Sequence, residues 1–192
     1  MDFKGSYRFN TNILAVWNNL NKPESIKSCI DGCQEFLEID NNYYKARIKV
    51  NLGPVNAVFS AEIKILNIIE QKSYVIDASG NAGNLGFGKG IVKVDLKQEK
   101  DDTILNYSAS TKISGKIAQL GSRLIEGSVK KNTTSFFNNF EKLLKSEISI
   151  SNKQDLKLEN VKKDSYFKKK KLFIFLFILI ILSYIFYFFN NA

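Results

Sequence analysis

The sequence contains no histidine. That removes the side chain most often used as a general base near neutral pH, the commonest metal ligand and every histidine-dependent triad. Cysteine is nearly as scarce. Cys29 and Cys33 are too few for a disulfide framework or a four-ligand zinc site. They bracket a turn, and their spacing suits two small, half-buried residues at a strand entrance better than a redox pair. Carboxylates are scattered singly along the chain, so no acid–base pair converges. No charged n-region followed by an apolar stretch opens the chain, so no secretory signal is expected. The net charge of +9 is unevenly placed. Residues 1–150 hold 20 Lys/Arg against 16 Asp/Glu, and residues 151–192 hold 8 against 3, so the basicity per residue belongs mainly to the tail. No nucleic-acid partner is expected.

What is present is a run of alternating segments. Residues 1–9 read as a strand with Phe3, Tyr7 and Phe9 on one face. Asn10 or Thr11 can cap a short helix carrying Ile13, Leu14, Val16, Trp17 and Leu20. Pro23 suits the first turn of a second short helix, to about Cys29. Strands are expected over 33–40 and 43–52 with Asn41-Asn42 as the turn, then over 55–67 after Gly53-Pro54. Further strands follow over 73–79, 86–97 and 103–113. In 55–67, Ala57, Phe59, Ala61, Ile63 and Ile65 share one face. In 103–113, Leu105, Tyr107, Ala109 and Ile113 do so.

Residues 115–147 then read as one helix. Ile117, Leu120, Gly121, Leu124 and Ser128 fall on one side, and Phe136, Phe137, Phe140, Leu143 and Leu144 resume the stripe. A helix of that length, roughly 45–50 Å, cannot bury its own stripe and needs a broad apolar sheet. Successive strands with short turns make antiparallel pairing the default. The expected fold class is therefore α+β: a curved antiparallel sheet gripping a long C-terminal helix, with two short helices after the first strand. Gly83, Gly86, Gly88 and Gly90 do not form a phosphate loop. Their spacing is not GxGxxG opening a helix, and Lys89 is not followed by Ser or Thr. Glycine on the inner face, with Gly121 facing it, means either very close packing or a cavity, and both readings remain open on the pattern alone. Trp17 can be core or ligand contact. Lys116 and Arg123 can be a solvated face or a docking surface.

Four strings carry a family likeness: VWNNLNKPESIKSCIDGCQEF (16–36), LGPVNAVFSAEIKI (52–65), GFGKG (86–90) and SGKIAQLGSRLIEG (114–127). In this order they resemble the CoxG family of carbon monoxide dehydrogenase subunits, within the START-like, or SRPBCC, helix-grip superfamily, over about residues 1–145. Asp31 stands where that family usually carries proline. The resemblance implies a non-catalytic accessory protein that tethers a molybdenum-containing carbon monoxide dehydrogenase-type enzyme at the cytoplasmic membrane and binds a quinone-like lipid. It implies a cavity between sheet and helix. The candidate lining is Trp17, Ala57, Phe59, Ala61, Ile63, Gly86, Gly88, Gly90, Tyr107, Ile117, Leu120, Gly121 and Leu124. No metal and no covalent cofactor is expected, and a non-covalent quinone is. The alternatives are a START-like enzyme, disfavoured by the missing histidine, and a pure tether with a filled core.

The remainder divides in two. Residues 148–171 read as a polar, basic linker ending in Lys168, Lys169, Lys170 and Lys171, which face anionic headgroups. Residues 172–189 carry no charge, and as a helix they would be about 27 Å long, close to the roughly 30 Å hydrocarbon core. Lysines before the span and three uncharged residues after it place the lysines inside, so 1–147 would lie on the cytoplasmic side of the cell membrane.

Overall fold

In a computed structural model of the chain, described over residues 1–158 with side chains as far as Glu147, the elements alternate as the pattern requires. Strand β1 is Asp2–Phe9, helix α1 Ile13–Leu20 and helix α2 Pro23–Cys29. Strands β2 (Cys33–Asp40), β3 (Tyr43–Leu52), β4 (Val55–Ile69), β5 (Ser73–Asn81), β6 (Phe87–Glu99) and β7 (Asp102–Ser114) follow, then helix α3 (Ser122–Leu158). Met1–Glu147 forms one compact unit. The expected span 172–189, its lysine block and most of the linker lie outside the described residues. Among the described residues no helix is long and apolar enough to cross a membrane.

The seven strands form one antiparallel sheet in the order β1-β7-β6-β5-β4-β3-β2. Consecutive strands from β2 to β7 are joined by short connections, with a 3₁₀ turn at Gly83–Leu85 between β5 and β6. Asn42 takes a left-handed conformation (φ 58°) between β2 and β3, which asparagine tolerates. Helices α1 and α2 carry the chain from β1 at one edge to β2 at the other. The cap of α1 is Asn12 rather than the expected Asn10 or Thr11: its side chain accepts from the Ala15 amide at 2.9 Å. Lying immediately before the first helical residue, it can satisfy an amide of that first turn.

The main correction concerns the long helix. Residues 116–120 form a 3₁₀ turn, and α3 begins only at Ser122. Gly121 has φ +83°, a left-handed backbone that cannot sit inside an α-helix. This break shifts the phase of the helix. The buried face of α3 runs through Ile125, Phe137, Phe140 and Leu144, whereas Leu124 is 44% exposed. The stripe read through Gly121 and Leu124 was one residue out because it was counted across a residue that is not helical.

Phe9, Val16, Trp17, Tyr74, Val94, Leu96, Leu105, Phe137, Phe140 and Leu144 make the main core. Phe140 is fully buried, with Phe9 edge-on at 5.4 Å and Phe136 stacked at 5.9 Å between ring centroids. Leu52, Ala57, Ile117 and Ile125 are also buried but lie outside that cluster.

Candidate ligand cavity

Between these packed regions the inner face of the sheet is not filled. Ile63, Ile65, Ile76 and Val92 are only half-buried although they point to the concave side. They border a cavity of about 460 Å³, an ordinary size for a small-molecule site. Strand register explains its floor. One cross-strand row runs Phe3, Ala109, Val92, Ile76, Ile65, and the next Tyr107, Val94, Tyr74. A third row runs Tyr44, Ile63, Ala78, Gly90, Thr111. Successive residues alternate between the two faces of a strand, so the small Ala78 and Ala109 leave room where larger side chains would close it. Helix α3 supplies Val129, Thr133, Phe136 and Phe137, and the α1–α2 corner supplies Leu20, Lys22, Pro23 and Ile26.

Polar contacts fasten the helical wall to the rest. The Tyr7 hydroxyl donates to Glu141 Oε2 at 2.8 Å. Burial, then the bond and charge of Glu141, push the Tyr7 phenol up to about 12. Lys145 Nζ lies 2.7 Å from Glu141, and together with Tyr7 it holds the Glu141 carboxyl below its usual range. Asn19 donates to Glu147 at 2.7 Å and accepts from Ser25 at 2.8 Å. Asp31 accepts from the Ser135 hydroxyl and from Asn139 at 3.2 Å. Asp31 thus ties the α2–β2 turn to α3.

Because the folded-state pKa of Glu141 is depressed, its contribution to stability is present above the unfolded value, roughly 4.3, and is lost as pH falls through the folded one. Denaturant unfolding of Glu141→Gln measured from pH 6 down to pH 3 is expected to lose stability less steeply below pH 4 than the unsubstituted chain. An unchanged slope would mean the Tyr7–Glu141–Lys145 contact contributes nothing.

Of the candidate residues, Ile63 and Tyr107 line the cavity. Trp17 lies behind it in the core, its ring edge-on to Tyr74 at 5.9 Å. Ala57, Phe59 and Ala61 share the face of Ile63 but lie further along β4, towards the β3–β4 turn, with Phe59 against Gly80. Gly88 is on the inner face with open space around it, and Gly90 sits beside Thr111; neither is part of the lining. Gly86 is not a strand residue. It has φ +143°, and a Cβ there would meet the Ser114 carbonyl, so it serves backbone approach. Ile117 and Leu120 belong to the 3₁₀ turn, Gly121 to the break, and Leu124 faces out beside Gly53. What the sequence reading missed is the α1–α2 corner and, on α3, Val129 and Thr133, while Phe136 was read as part of the apolar stripe but not as lining. Helical spacing from Ile125 would have found Val129 and Thr133.

Both cysteine thiols are free, and burial pushes both up. A raised thiol holds little thiolate and is a poor redox centre. Among the described residues no group of three or more His, Cys, Asp or Glu could hold a metal ion.

The family model of the CoxG subunits of carbon monoxide dehydrogenase matches residues 5–145. The chain belongs to the CoxG family. No curated protein matches it significantly. Among solved structures, this CoxG-family chain is similar to a conserved protein from Geobacillus kaustophilus, at 26% identity over 76% of this chain and 96% of that one, with a TM-score of 0.72. It is also similar in fold to Ara h 8.0201, at 16% identity over 76% and 98% of the two chains with a TM-score of 0.59. The Zhui aromatase/cyclase from Streptomyces sp. R1128 shares the fold too, at 12% identity over 77% and 95% with a TM-score of 0.56. The CoxG domain is thus a helix-grip fold: a curved seven-stranded antiparallel sheet with a long C-terminal helix.

Proposed function

We propose that this CoxG-family chain is a non-catalytic accessory protein whose cavity takes an apolar, quinone-like lipid. On this reading it docks a molybdenum-containing carbon monoxide dehydrogenase-type oxidoreductase at the cytoplasmic face of the cell membrane, held there by residues 172–189. The observation that carries the ligand part is the cavity of about 460 Å³, bordered mainly by Ile, Val, Ala, Phe and Tyr side chains. Burial would drive capture at roughly 0.8 kcal/mol per CH₂, less the cost of ordering the ligand. The family name supports the partner, and the uncharged stretch 172–189 behind four lysines supports the anchor. Tethering would keep the domain at high effective concentration beside the bilayer's lipid pool.

A filled-core tether is disfavoured by the open inner face. Turnover is disfavoured by chemistry: among the described residues no Asp, Glu or Cys borders the cavity, and the chain has no histidine. The likeness to an aromatase/cyclase is one of fold alone.

The test is organic extraction of the full chain purified from membranes in mild detergent, followed by mass spectrometry. A neutral lipid recovered near one per chain is expected. No bound lipid, and no uptake of an added quinone, would overturn the ligand reading. Deleting 172–192 is expected to move the chain from the membrane to the soluble fraction, and a chain that stays with the membrane would overturn the anchor.

A further inference from the structure

Tyr74 stands out among the groups around the cavity. It is 7% exposed and lies at the core end of the cavity floor, next to Val94, with Trp17 edge-on behind it. Buried tyrosine hydroxyls normally find a hydrogen-bond partner. The Tyr7 hydroxyl in the same sheet does so with Glu141. The Tyr74 hydroxyl has no hydrogen-bond partner among the described residues. Nor, among those residues, is any fully enclosed side-chain nitrogen or oxygen without a partner. The Tyr74 oxygen therefore keeps a patch of open surface, and Tyr74 is one of the residues that border the cavity.

We infer that the ligand of this cavity carries a neutral oxygen acceptor on an otherwise apolar body, and that this oxygen takes a hydrogen bond from the Tyr74 hydroxyl. The inference rests on the proposed reading that the cavity holds a small apolar molecule, and it adds which atom of that molecule is recognised and by what. A phenol gives one O–H and stays protonated when buried, so it offers a donor. Desolvation raises the Tyr74 phenol, in keeping with a group that does not ionise here. The acceptor is neutral because, among the described residues, the lining has no free cation to balance an anion. Lys22, the one charged side chain bordering the cavity among the described residues, lies 3.6 Å from Glu147. A ring ketone or ether fits; a carboxylate or phosphate drawn into the floor would lose its water without recompense.

Two probes of the same fused-ring outline test this: 2-methyl-1,4-naphthoquinone, with ring carbonyls, and 2-methylnaphthalene, without. Each is titrated calorimetrically into the full chain and into Tyr74→Phe in the same detergent, so that partitioning cancels in each probe's ratio between the two proteins. Removal of the hydroxyl is expected to weaken the quinone about three- to tenfold, as for one hydrogen bond, and to leave the hydrocarbon unchanged or tighter. Thermal unfolding of ligand-free Tyr74→Phe is expected to match or exceed that of the unsubstituted chain, since the lost hydroxyl had no protein partner. Equal changes for both probes, or a destabilised ligand-free variant, would overturn the role of Tyr74 while leaving the cavity as a site. If neither probe binds the unsubstituted chain, both readings fall.

Discussion

Replacing Ala78 by tryptophan is expected to abolish capture of a cavity ligand, by at least about a hundredfold, while the domain stays folded. Ala78 borders the cavity on β5, with Ile63 on one side of it and Gly90 on the other. Glycine has no side chain to contest the space, so an indole at 78 can project inward without displacing a neighbour on that side. A ligand that gives way to the indole forfeits burial of about four CH₂ equivalents, roughly 3 kcal/mol, which is more than a hundredfold in affinity. Filling a void also restores contacts its lining lacks, so the melting temperature should hold or rise. Lipid content after extraction and quinone titration of the full-length variant are the measurements. A folded Ala78→Trp chain that binds as before would place the ligand outside this cavity.

The largest stability loss is expected at Phe140. Its ring is fully buried where α3 meets β1, with Phe9 edge-on at 5.4 Å and Phe136 stacked at 5.9 Å. Truncation to alanine removes the transfer energy of the ring and leaves a hole between partners that strands hold apart, a loss of about 3–5 kcal/mol. For a domain of this size that corresponds to a drop of roughly 10 °C in melting temperature. Leu124→Ala, on the same helix but 44% exposed, should cost far less. Denaturant titration of the two variants separates them, and similar losses at both sites would mean that the buried face of α3 has been misplaced.

The contrast between these positions shows where sequence pattern succeeds. Alternation in β3 to β7 identified the inner-facing side chains, because strand geometry makes every second residue share a face whatever the sheet packs against. Ile76, Ala78, Val92, Val94, Leu105 and Ala109 were readable in this way, and all of them border the cavity. Helix periodicity is more fragile. One left-handed glycine at 121 resets the phase, so Leu124, read as inward, is exposed and Ile125 is buried instead. The α1–α2 corner was not readable at all as lining. Lys22, Pro23 and Ile26 reach the cavity only because the chain must cross from β1 at one sheet edge to β2 at the other.

The chain's own residues determined the alternating strands, the two short helices, the apolar stripe that demands a sheet, the absence of histidine chemistry and the family. These depend on local geometry and composition, which a linear pattern carries. Whether small inner-face residues meant tight packing or a void was decided by tertiary structure alone. Room at Ala78 and Ala109 depends on how far α3 stands off the sheet. That distance is set by the aromatic contacts of Phe9, Phe137 and Phe140 and by the fastenings at Glu141, Glu147 and Asp31, which join residues about a hundred positions apart. The lone hydroxyl of Tyr74 belongs to the same category, since a missing partner is a property of the assembled surroundings and of no single stretch of chain.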